Sequence, residues 1–132
     1  MAVFYFKMSY PDYIILSGNK YPGFKQATTL GCPTINIHLD LGGSFLLPGS
    51  YIGYISNGPS YRNSLIYVSP YNGHYTKVEC HIVDGFTIHD EPEATVKIVK
   101  KIRSHISTNS LDNLKEVVRL DIEKTKEYFK NC

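Results

Sequence analysis

The chain of 132 residues has no tryptophan, two methionines and three cysteines, and its 14 basic against 12 acidic residues leave a formal charge of only +2. Each shortage excludes something. Cys32, Cys80 and Cys132 are odd in number, far apart and without a paired spacing to histidine, so they indicate neither a disulfide framework nor a structural zinc site. Reduced thiols are expected. The near balance of charge, spread along the sequence, gives no basic footprint for nucleic acid or an anionic membrane. No stretch approaches the roughly 20 apolar residues of a membrane span, and the opening "MAVFYFKMSYPD" is too short and too polar for a secretory signal. One cytoplasmic domain over residues 1–132 is the expectation, with 42% apolar residues to build a core unaided.

Turn signals, by contrast, are abundant. They recur at Ser17-Gly18-Asn19, Pro22-Gly23, Gly42-Gly43, Pro48-Gly49, Asn57-Gly58-Pro59, Asn72-Gly73 and Glu91-Pro92. Between them lie runs rich in β-branched residues and tyrosine: "YIIL" (13–16), "TINIHL" (34–39), "SYIGYIS" (50–56), "SLIYV" (64–68), "TKVECHIV" (76–83) and "ATVKIVKKIR" (94–103). Six such strands suffice to close a small antiparallel barrel, which removes exposed edges. After Asn109 the period becomes helical, with Leu111, Leu114, Val118, Ile122, Thr125 and Phe129 on one side. Ser110 is placed as its N-cap, Asp112 suits the positive end of the dipole, and Glu116/Arg119, Glu123/Lys126 and Glu127/Lys130 pair on the outer surface. A helix lying across the barrel leaves no apolar seam over, so a monomer is expected.

Chemistry-bearing residues concentrate on two strands. In "TINIHL", Ile35, Ile37 and Leu39 share one face, so Thr34, Asn36 and His38 share the other. Thr34 and Asn36 then stand roughly 6 to 7 Å apart, close enough to reach one hydrated cation or phosphate cluster. An ordinary half-exposed strand would show the same spacing. In "TKVECHIV", Lys77, Glu79 and His81 project together, and Glu79 reads either as a general base or as an ion-pair partner. From Gly23 to Gly31, "GFKQATTLG" offers backbone N–H groups, Lys25 and the hydroxyls of Thr28 and Thr29 to a phosphate, although most such segments are simply loops. Eleven tyrosines could provide stacking surfaces for single-stranded nucleic acid, a reading the near-neutral charge opposes.

Taken together, "LGCPTIN" (30–36), "LPGSYIGYI" (47–55), "SPY" (69–71), "ECHIVDGF" (79–86) and "IRSHISTNSLDNL" (102–114) followed by "LDIEKTKEYF" (120–129) resemble the riboflavin kinase family in consistent order. The resemblance implies a six-stranded antiparallel β-barrel with a C-terminal helix packed across it. It further implies transfer of the ATP γ-phosphate to the ribityl 5′-hydroxyl of riboflavin, with riboflavin/FMN and ATP/ADP as ligands. By position, Thr34 and Asn36 would hold Mg²⁺ (or Mn²⁺ or Zn²⁺) and nucleotide phosphates. Gly23, Lys25, Thr28 and His81 would serve the nucleotide, Glu79 would be the catalytic base, and Arg103 would contact the flavin or its phosphate. The family's glycine-rich phosphate loop is replaced here by Lys25-Gln26-Ala27-Thr28-Thr29, and His105, Ile106 and Thr108 stand where its acidic and aromatic flavin contacts occur. The alternative is therefore a barrel that binds flavin or nucleotide without catalysis. No His-x-Gly-His motif is present, so FAD synthesis is not expected.

Overall fold

A computed structural model describes residues 2–6, 13–21, 32–39, 46–85, 91–107 and 110–130. Among these residues, seven strands, β1 (Ala2–Phe6), β2 (Tyr13–Tyr21), β3 (Thr34–Leu39), β4 (Gly49–Asn57), β5 (Ser60–Val68), β6 (Thr76–Ile82) and β7 (Glu93–Ser104), precede one helix, α1 (Leu111–Lys130). All pairings are antiparallel, in the order β1-β2-β3-β6-β5-β4-β7, and β2 also pairs with β7. That last pairing closes β2 to β7 into the expected six-stranded barrel. The sequence reading omitted β1. It pairs with Tyr13 to Ser17 of β2, while β3 pairs with Asn19 to Tyr21, so the two strands divide the length of β2 between them.

Alternation explains why these segments close on themselves. Leu16, Ile35, Ile37, Leu39, Ile55, Ile66, Val68, Val78, Cys80, Ile82, Val96 and Ile98 point inward and are at most 4% exposed. Each fully buried aliphatic side chain stabilises the fold by about 1.5–3 kcal/mol. Two glycines are needed where they stand. At Gly53, beside a register shift in the β4–β7 pairing, an added Cβ would lie 1.9 Å from the Lys97 carbonyl oxygen and 2.7 Å from Ile66 Cδ1. Gly58, at φ 65°, occupies the first central position of the two-residue β4–β5 turn, as a type II′ hairpin requires.

The helix begins as the sequence predicts, with the Asn113 amide donating to Ser110 Oγ at 3.2 Å. It lies against the outer wall, where Ile122 joins Cys32 and Leu65, with Val83, Ile102 and Val118 packed around them. Its buried seam differs from the predicted one. Leu114 is 38% exposed, whereas Asp121 joins Ile122 and Thr125 in the interior. Cys32 and Cys80 are buried free thiols whose pKa values burial pushes up, which keeps them protonated and unreactive; Cys132 lies outside the described residues.

Candidate functional site

Register, rather than any loop, assembles the site. Antiparallel pairing sets Asn36 opposite Glu79, Glu79 opposite Tyr67, Tyr67 opposite Ser50 and Ser50 opposite Arg103. Period-two alternation turns inward the residues on either side of this row, so the row itself occupies the outer wall near α1. One step along β3, Thr34 stands opposite His81, which in turn faces Leu65. The strands thus bring Thr34, Asn36, Glu79 and His81 together. Gly23, Lys25 and Thr28 fall outside the described residues.

At one end of the row the polar groups have few partners among the described residues. Glu79 pairs with Lys77 Nζ at 3.1 Å along its own strand, and its side chain remains 26% exposed. Both open readings of Glu79 therefore have a physical basis, since the ion pair exists and the carboxylate still reaches solvent. Asn36 is 6% exposed and its amide has no side-chain hydrogen bond among the described residues. Thr34 Oγ1 lies 3.2 Å from His81 Nδ1 and donates at 3.4 Å to the Cys32 carbonyl. Burial holds the His81 imidazole below its ordinary pKa, against the opposing charges of Glu79 and Asp121, so the ring is neutral at pH 7.

The other end is saturated. Asp121, reaching in from α1, accepts hydrogen bonds from Ser50 Oγ at 3.0 Å, Arg103 Nε at 3.1 Å and Arg103 Nη2 at 2.7 Å. Arg103 lies within β7, and its side chain is only 18% exposed. Although it is the penultimate residue of the strand, its charge is ion-paired rather than solvated. Between the two ends Tyr67 shares a hydrogen bond with His105 Nδ1. Burial raises the Tyr67 pKa, Arg103 opposes this, and Glu79 and Asp121 add to it, so the phenol stays protonated.

Two neighbouring features lie beside the row. The His38 ring is stacked between Tyr21, at 4.1 Å between centroids, and Tyr75, at 3.9 Å. Burial, helped by Lys77, lowers its pKa. A cleft of about 780 Å³ opens between β7 and the C-terminal half of α1, lined by Ile52, Lys100, Lys101, Lys124, Glu127 and Tyr128 among others. It contains none of the candidate nucleotide, metal or flavin residues named from the sequence.

Sequence reasoning missed Ser50, Tyr67 and Asp121. For Asp121 a signal existed: an acid next to Ile122 and four residues before Thr125 sits on the seam of an otherwise amphipathic helix. Ser50 and Tyr67 carried none, because only cross-strand register makes them neighbours of Glu79 and Arg103.

A family model described as flavokinase, riboflavin kinase, matches residues 10–129. Among solved structures, one described as the crystal structure of a macrolide-efflux protein from Streptococcus pneumoniae superposes with a TM-score of 0.70 at 19% identity, covering 87% of this chain and 39% of that one. The likeness is one of fold, and this chain spans well under half the length of that protein. No curated protein matches it in sequence.

Proposed function

The chain belongs to the riboflavin kinase family, and from that premise we propose that it transfers the γ-phosphate of ATP to the ribityl 5′-hydroxyl of riboflavin, giving FMN and ADP. The observation that carries this reading is the β3–β6 register, which sets Asn36 against Glu79 and Thr34 against His81 on one patch of wall. Phosphoryl transfer through a loose transition state depends on positioning and charge neutralisation more than on covalent catalysis. A patch with a carboxylate, an amide and a hydroxyl in adjacent positions suits both needs.

Glu79, partly exposed and bonded only along its own strand among the described residues, is the group to accept the proton of the attacking hydroxyl. Lys77 holds that carboxylate in place. Thr34 and Asn36 offer a hydroxyl and an amide oxygen, hard donors that fit Mg²⁺ or Mn²⁺ bound together with phosphate oxygens. Zn²⁺ fits them less well, since the neighbouring His81 Nδ1 is occupied by Thr34. When bound, the metal would neutralise charge on the nucleotide phosphates. The neutral His81 orients the Thr34 hydroxyl, and Gly23, Lys25 and Thr28 are assigned to the phosphates on the sequence pattern. We place the protein in the cytoplasm, as is typical of the family, acting as a monomer; no described helix is long and apolar enough to cross a membrane.

Incubation with riboflavin, ATP and Mg²⁺, followed by chromatographic separation of the flavins, tests the reading directly. FMN that accumulates with time and enzyme is the expected result. Unchanged riboflavin would overturn it, and a change in riboflavin fluorescence without FMN would identify a binding barrel that lacks catalysis.

A further inference from the structure

Outside the patch assigned to Glu79, the cleft between β7 and α1 gathers positive charge through a local irregularity of the sheet. Two register shifts in the β4–β7 pairing, between Ser50 and Tyr51 and between Ile52 and Gly53, flank the pairs Tyr51–Lys101 and Ile52–Lys100. A regular strand sends consecutive side chains to opposite faces, whereas a bulge re-aims one of them. Lys100 and Lys101 are accordingly both exposed, and both line the cleft. Lys124 joins them from α1, so three ammonium-bearing side chains border a space of about 780 Å³.

The protein itself matches little of this charge. Of the two carboxylates in the lining, Glu123 is already held by Arg119 Nη1 at 2.6 Å, which leaves Glu127 to set against the three lysines. Lys100 Nζ lies over the Tyr128 ring, 5.7 Å from its centroid. Lys101 and Lys124 have no hydrogen bond or ion pair among the described residues. Ammonium groups gathered in this way repel one another, and a bound anion relieves the repulsion. Ile52, Ile102 and Tyr128 supply an apolar side to the same lining.

We propose that this cleft is a ligand site for a small phosphate monoester carrying a planar or apolar organic group, separate from the patch formed by Thr34, Asn36 and Glu79. A phosphate monoester is close to a dianion at neutral pH, and lysines meet it as mobile point charges rather than as a fixed fork. Inorganic phosphate would leave Ile52, Ile102 and Tyr128 unused, and an uncharged ring would leave the lysines unmatched. The volume falls within the roughly 300–1,000 Å³ of ordinary small-molecule clefts. A ligand seated there touches both β7 and the C-terminal half of α1, so it fastens the helix to the barrel and stabilises the folded chain.

Naphthyl phosphate is the probe, because it carries both groups and has no part in phosphoryl transfer to riboflavin. Its fluorescence reports binding, and amide chemical shifts locate it. The expected result is a dissociation constant below about 1 mM, with shift changes concentrated in residues 99–102 and 123–128. The thermal midpoint should rise by about three degrees at about five times the dissociation constant. Lys101→Gln combined with Lys124→Gln weakens binding about tenfold; the ligand-free midpoint stays unchanged, since both side chains are exposed. Each single exchange weakens it by a smaller factor, so the assignment does not hang on the double variant. No binding at about 5 mM probe overturns the proposal. So does equal affinity for inorganic phosphate, which would mean an adventitious ion only, or for naphthol, which would mean that the lysines recognise nothing. Affinity unmoved in the lysine variants, or shift changes centred on Thr34, Asn36 and Glu79, would place the probe elsewhere and overturn it as well. None of these outcomes depends on whether wild type makes FMN.

Discussion

Two carboxylates share one wall of the barrel and live in opposite conditions. Glu79, on β6, has a side chain 26% exposed and one ion-pair partner, Lys77, on its own strand. Asp121, on α1, has a side chain 4% exposed and accepts from Ser50 and from Nε and Nη2 of Arg103. The same chemical group is thus an open acceptor in one place and a structural anchor in the other. The oxygens of Asp121 are occupied by protein donors, while Glu79 keeps lone pairs that an incoming hydroxyl could reach.

The contrast breaks first at its open end. Glu79→Gln keeps the shape and removes the basicity, so turnover is expected to fall by about 10²- to 10⁴-fold, with riboflavin binding and thermal midpoint close to wild type. Single-turnover FMN formation measures this, and near-normal rates would leave Glu79 as nothing more than the partner of Lys77. At the closed end the loss is of stability. Asp121→Ala strands the Arg103 charge under the helix, and removal of one partner from a buried pair costs about 3–5 kcal/mol. Urea denaturation should show that loss, and Asp121→Ala combined with Arg103→Met should recover much of it, since no buried charge is then left unpaired. A cost below about 1 kcal/mol for Asp121→Ala is what exposed pairs show, and it would erase the distinction between the two carboxylates.

His81 feels the charge of both carboxylates, and its titration sharpens the comparison. Burial depresses its pKa in the folded protein, opposed by Glu79 and Asp121. The unfolded chain therefore takes up a proton below about pH 6.5 while the folded one resists. Stability is fully present above that pH and is lost as pH falls toward the depressed folded value, at up to about 1.4 kcal/mol per pH unit. Urea midpoints at pH 7.5, 6.0 and 5.0 should decline, and His81→Gln should flatten the slope. A flat wild-type profile would mean that Glu79 and Asp121 offset burial in full.

What was readable in the sequence follows from how far each feature depends on distant partners. Ile35, Ile37 and Leu39 declare their face by alternation, and "SLIYV" and "TKVECHIV" do the same, so the barrel and the inward core were legible. Ser110 declared the helix start through a local hydrogen bond. β1 was not read, since five residues at an end lack the turn signals that frame the other strands. The Thr34, Asn36 and Glu79 cluster was half legible: each strand announced its outer face, but only pairing puts Asn36 opposite Glu79. Ser50 and Asp121 are 71 residues apart and meet by tertiary packing alone, which no window of sequence contains.

A second arginine provides the smallest effect and the cleanest control on the closed end. Arg119 bridges Glu116 and Glu123 on the solvent side of the same helix, with contacts of 2.6 Å to each. Judged by distance alone, this fork is as well made as that of Arg103. Its side chain is 47% exposed, however, so water and salt compete for every donor and the pairing offsets little desolvation. Arg119→Ala is expected to leave both KM values and kcat unchanged and to shift the thermal midpoint by about two degrees or less, a difference that disappears in about 0.5 M salt. A shift as large as that of Asp121→Ala would mean that geometry rather than burial sets the worth of these forks, and the helix would then be held by its outer charges as much as by its inner one.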